Sequence, residues 1–110
     1  MPSRTPRRFH EEFTIQLTEA DLIWVGFDRT DNEVIQFSVQ YMAYLGDEWH
    51  AIVRFDTAHG YAHMDISHPN RTQDKRELNK QDYSVALNWA INQVRSQWEF
   101  YRERYEREMQ

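Results

Sequence analysis

No cysteine occurs in the chain, which excludes disulfides and thiolate metal sites and makes a reducing compartment, the cytoplasm, the expected location. Glycine and proline number three each, too few for a dinucleotide-binding fingerprint or a Walker loop, and there is no internal repeat or low-complexity tract. No stretch approaches the roughly 20 apolar residues of a membrane span, and Arg4, Arg7 and Arg8 precede no apolar signal-peptide core, so neither insertion nor secretion is expected. Basic charge is also scarce. Thirteen Lys and Arg against 18 Asp and Glu leave a net charge of −5, which argues against a domain-wide phosphate-gripping surface. Phosphate contact is confined to local patches, the N-terminal arginines and the group Arg71, Lys75, Arg76 and Lys80, and each of these also reads as solvated charge.

What the 110 residues do contain is enough apolar and aromatic material, 40% and 15%, to close one core. Residues 1–8 read as a basic arm and 9–110 as a single α+β domain: an antiparallel sheet of about five strands over 11–67, a connection over 68–79, and one long C-terminal helix over 80–108 packed on one face. Phe13, Ile15 and Leu17 alternate with polar neighbours at the period of a half-buried strand. Residues 21–27 form a short apolar run, and residues 28–32 read as a turn. The next strand, 33–44, sets Ile35, Phe37, Val39, Tyr41 and Ala43 against Gln36, Ser38 and Gln40. Beyond a Gly46-containing hairpin, Trp49, Ala51, Val53 and Phe55 are expected on one face, with His50, Ile52, Arg54 and Asp56 on the other. Residues 61–67 supply the last strand. Pro69, Asn70 and a run of charges then read as a solvent-facing connection.

From residue 79 the period changes. Tyr83, Leu87, Ala90 or Ile91, Val94, Trp98, Tyr101 and Tyr105 recur at spacings of three and four, with Asn79 the expected N-cap. Such a helix is about 45 Å long against roughly 20 Å for a strand of six residues, so its last turns should overhang the sheet. Trp98, Tyr101 and Tyr105 would then be left to a partner, and a homodimer is expected. The alternative is a helix that bends near Ser96 and packs back on its own sheet.

The chemically suggestive residues lie between Arg54 and His68. An antiparallel strand–loop–strand places Arg54 and Asp56 beside His63 and Asp65 on one face, with His59 at the loop tip next to Gly60. Buried charges must pair or face water, so either arrangement makes a polar cleft. One reading is metal-independent cleavage of RNA. His59 and His63 act as the acid–base pair, Arg54 stabilises the phosphorane and Asp56 or Asp65 orients an imidazole. Tyr61 stacks on a base, and His50 and His68 are further candidates for substrate contact. A second reading is a metal site made by His59, His63, Asp65 and His68. It is disfavoured because His59 and His63 at i, i+4 have the ligand spacing of a helix and Gly60 between them speaks against a helix there, so no cofactor is expected. The third is a turn plus a cross-strand Arg54–Asp65 pair with solvated histidines.

The run Arg54-Phe55-Asp56-Thr57-Ala58-His59-Gly60, followed by His63 and Asp65, resembles the Arg-Tyr-Asp-Asn-x-His-Gly-x-x-His-x-His stretch of TumE-like toxin proteins, small prokaryotic α+β proteins found beside helix-turn-helix antitoxins. Thr57 replaces the common Asn, and Asp65 the second common His. The resemblance implies a toxin-like or defence-associated role with an antitoxin or other protein partner, RNA being the substrate if the cluster is catalytic. The alternative class is a non-catalytic module that dimerises or docks a partner through its aromatic helix.

Overall fold

The computed structural model describes residues 7–110. Six strands follow one another as an antiparallel meander in sequence order: β1 (Arg8–Thr18), β2 (Asp21–Thr30), β3 (Glu33–Leu45), β4 (Glu48–Asp56), β5 (His63–Ser67) and β6 (Gln73–Glu77). One helix, α1 (Tyr83–Met109), closes the chain. The α+β architecture is the one the change of period predicts. Among the described residues no helix is long and apolar enough to cross a membrane.

The core lies between one face of the sheet and α1. Ile23, Val25, Phe37, Val39, Tyr41, Val53 and Phe55 supply the sheet side. Cross-strand pairs Ile23↔Tyr41 and Val25↔Val39 keep these side chains in rows. Ala86, Leu87, Ala90, Val94, Tyr101 and Tyr105 supply the helix side at the spacing read from the sequence.

Several expectations are corrected. Residues 28–30 continue β2 rather than forming a turn, and Arg8 belongs to β1 rather than to an arm; residues 1–6 lie outside the described part. The expected 68–79 connection contains β6, whose Gln-Asp-Lys-Arg-Glu sequence is exposed throughout and has no apolar alternation to betray it. It pairs because β5 would otherwise leave a row of backbone donors and acceptors unbonded, and its charges then protect the edge. The helix is capped by Asp82 rather than Asn79: its Oδ1 accepts from Ser84 N at 2.9 Å and Val85 N at 3.1 Å.

The helix does not overhang. β3 has 13 residues, about 43 Å at 3.3 Å each, and the 27-residue helix is about 40 Å long, so the two run alongside each other. Tyr83 meets Phe37 at one end with ring centroids 6.2 Å apart, Trp98 packs on Tyr41 at 6.3 Å, and Tyr105 reaches His50 at 5.6 Å near the other end. Tyr101 and Tyr105 are thus buried by the chain's own sheet and Trp98 is partly buried, so these rings are not left over for a partner.

A lock ties sheet to helix beside this contact. Buried Asp21 accepts from Tyr41 Oη at 2.5 Å, Thr18 Oγ1 at 2.5 Å and Arg102 Nη1 at 2.7 Å, joining β1, β2, β3 and α1. Burial acts to raise the Asp21 pKa, but the three hydrogen bonds outweigh it and hold the carboxyl below its usual value. The same burial, with the carboxylate alongside, pushes the Tyr41 phenol strongly up.

Candidate functional site

Among the described residues, the face of the sheet opposite α1 has no second layer. Between β3 and β4 the register shifts: Val53 pairs with Tyr41 but Ala51 with Met42, so Ile52 is an extra residue on β4. The bulge inverts the expected alternation on its far side. His50, opposite Ala43, turns toward the helix, where Nε2 lies 3.0 Å from Leu45 O and Nδ1 lies 3.4 Å from Tyr105 Oη. Trp49 instead shares the uncovered face with Tyr44, their ring centroids 5.4 Å apart. His50 is therefore removed from the candidate site by one inserted residue. His68 is removed as well, because it bridges Glu108 of the helix at 3.0 Å and Asp74 of β6 at 2.9 Å. Those carboxylates raise its pKa, first through the hydrogen bond to Asp74 and then that to Glu108.

The remaining residues converge. Register pairs Arg54↔Asp65 and Asp56↔His63 put all four on the uncovered face. His63 Nε2 lies 2.8 Å from Asp56 Oδ1 and 3.5 Å from Asp65 Oδ2, and its Nδ1 lies 3.3 Å from Tyr61 O. Arg54 Nε stands 3.3 Å from Asp56 and 3.9 Å from Asp65, without an aligned hydrogen bond to either. The imidazole and the Asp65 carboxylate are almost wholly enclosed, their side chains 2% and 5% exposed, whereas Arg54 is 40% exposed. Ligand atoms of Asp56, His63 and Asp65 all lie within 4.8 Å of one another, a three-donor grouping that differs from the four-residue set considered on spacing alone.

His59 sits above this cluster on a single 3₁₀ turn, Ala58–Gly60, with φ of +71° at His59 and +85° at Gly60. Two left-handed residues in succession turn the chain sharply, and Gly60 makes the second at little steric cost. The turn is pinned from below: Asp56 Oδ1 accepts from Ala58 N at 3.1 Å, and Thr57 Oγ1 accepts from Phe37 N at 3.0 Å. As a result the exposed His59 ring lies 6.4 Å from the buried His63 ring, and exposed Tyr61 lies 5.4 Å from it. The two imidazoles are neighbours but not equivalents. His63 is enclosed and engaged at both nitrogens; His59 faces water.

A second carboxylate–imidazole pair escaped the sequence reading. Asp28 binds the His10 Nδ1 and accepts from Arg8 Nη2 at 2.6 Å and Gln36 Nε2 at 2.9 Å. The hydrogen bond to Asp28 raises the His10 pKa against a smaller effect of burial, while the bonds from His10 and Arg8 lower that of Asp28. Asp28 and Asp56 line the same cleft of about 270 Å³, together with His10, Gln36 and Ser38. Trp24 and Gly26 also line it, the indole lying so close over the glycine that an added Cβ would come within 2.5 Å of it. The available signal was the alternation of Arg8 and His10, obscured by assigning Arg8 to an arm and Asp28 to a turn.

An antiparallel six-stranded meander backed by one helix, carrying an Asp–His–Asp–Arg cluster on its bare face, defines the class of protein. Residues 6–110 match the family described as Domain of unknown function (DUF7718), and the chain belongs to that family. No curated protein and no solved structure matches it.

Proposed function

We propose that the chain cleaves RNA by acid–base chemistry at the Arg54–Asp65 cluster, in a toxin-like or defence-associated role. The observation that carries this reading is the exposed His59 imidazole held 6.4 Å from a buried His63 that is itself 2.8 Å from Asp56. His59 takes the proton of a ribose 2′-hydroxyl as that oxygen attacks phosphorus. It returns the proton to the 5′-oxygen as the P–O5′ bond breaks, leaving a 2′,3′-cyclic phosphate and a 5′-hydroxyl. Arg54 offsets the charge gathering on the phosphorane, and Lys75, in register with Asp65, adds a cation beside it. Tyr61 offers a stacking face to a base. His63, enclosed by the protein, positions the turn instead of serving as the second acid–base group.

The test is cleavage of a single-stranded RNA followed by product analysis. His59→Ala should lower the rate by about 100-fold or more without changing the circular dichroism spectrum, and a 2′-deoxy substrate should be inert. Equal activity in the variant, or none in the wild type, defeats the proposal.

A second reading, a binding module, is favoured by one feature of the same face. Leu22, Trp24, Met42 and Trp49 border an apolar groove of about 380 Å³ with no layer over it among the described residues. Both sheet edges are charged, which disfavours strand addition, so face-to-face packing of two copies suits this surface. Sedimentation should then show a homodimer in the wild type and a monomer in Trp49→Asp; a wild-type monomer at high concentration removes this reading.

A further inference from the structure

We infer that Asp56, His63 and Asp65 form a binding site for one divalent transition-metal ion, of which Zn²⁺ is the best-matched probe. Three independent features meet here. The first is donor spacing. Ligands about 2.1 Å from a tetrahedral ion stand about 3.4 Å apart, and the two measured separations from His63 Nε2, 2.8 and 3.5 Å, bracket that value. The second is the Asp65 carboxylate. It is 95% enclosed, and its Oδ1 has no hydrogen-bond partner, an expensive state for a buried anion and one that a bound cation relieves.

The third is the orientation of His63. A backbone carbonyl can only accept, so Nδ1–H donates to Tyr61 O, 3.3 Å away, when Nε2 binds an ion, and the ring is turned so that Nε2 faces the two carboxylates. An N–H to a main-chain carbonyl on one side, with the other nitrogen among carboxylates where an ion would take the place of the proton shared with Asp56, is the arrangement that orients metal-binding imidazoles. The site's nearest cation is Arg54, whose Nε has no aligned acceptor and whose side chain is 40% exposed. Two carboxylates and one imidazole carry charge of −2 and a mixed O, O, N donor set, suited to Zn²⁺ or Mn²⁺ rather than to softer ions. The fourth position would fall to water.

This inference stands independently of RNA cleavage, because binding is read without turnover. The experiment is calorimetric titration of the chelator-treated, untagged full chain with ZnCl₂, with X-ray absorption to identify the donors. One ion per chain is expected, bound through oxygen and a single imidazole. Asp65→Asn, which keeps the shape and removes the charge, should weaken binding by about 100-fold, and Asp56→Asn repeats the test should the first variant fold poorly. His68→Gln, which removes the other histidine flanked by carboxylates, should leave binding unchanged. No binding by the wild type, undiminished binding in a folded Asp variant, or loss of binding in His68→Gln each overturns the assignment.

Discussion

Replacing Asp21 with alanine should be among the most destabilising single changes to this protein. Asp21 is 2% exposed and accepts hydrogen bonds from Thr18, Tyr41 and Arg102, the last across 81 residues of sequence. Its removal strands the hydroxyl of fully buried Tyr41 and takes away the buried partner of Arg102, which keeps a bond to Glu106 at the surface. Leaving a buried polar group unpaired costs about 1–3 kcal/mol, and breaking a buried ion pair about 3–5 kcal/mol. Arg102 is 25% exposed and can recover some hydration, so the total should lie at about 3–4 kcal/mol. At roughly 4 °C per kcal/mol for a domain of this size, Tm should fall by about 12–16 °C. Urea denaturation and thermal scans measure this directly, with Glu19→Ala, an exposed carboxylate, as the control expected within about 0.5 kcal/mol. The double variant with Tyr41→Phe should be less destabilised than the sum of the single changes, because the hydroxyl stranded by the first is deleted by the second. An Asp21→Ala loss under 1 kcal/mol, or strict additivity with Tyr41→Phe, would refute the lock. Because the Asp21 pKa is lowered by folding, its contribution is present above the unfolded value of 3.8 and is lost as pH falls through the folded value.

Asp82→Ala should remove the two hydrogen bonds that cap the helix and cost about 1 kcal/mol, seen in chemical denaturation, whereas Asn79→Ala should have little effect. The bridge from His68 to Asp74 and Glu108 has the opposite pH behaviour to Asp21. Its folded pKa is raised above 6.5, so the contribution is full below 6.5 and disappears as pH rises through the folded value. Amide exchange at β6 and at the last turn of α1, corrected for the intrinsic rate, should therefore quicken above that value in the wild type and be pH-insensitive in His68→Gln.

The sequence alone determined the class of the fold and most of its elements, because those depend on local periodicity. The odd-numbered residues from Phe37 to Ala43 are buried as their alternation requires, and the helical seam from Tyr83 to Tyr105 faces the sheet as its spacing requires. It also brought Arg54, Asp56, His63 and Asp65 to one face, since an antiparallel hairpin of that register admits nothing else. The tertiary structure decided what depends on partners distant in sequence. β6 exists because β5 offers it an edge, not because of its own residues. His50 faces the helix because Ile52 bulges against β3, a matter of pairing between strands that neither strand's composition reveals. Tyr101 and Tyr105 are core residues because β3 is as long as the helix. The difference between His59 and His63, one exposed and one enclosed, is likewise tertiary: their residue type and neighbourhood are alike, and only packing separates a group that meets solvent from one fixed between two carboxylates.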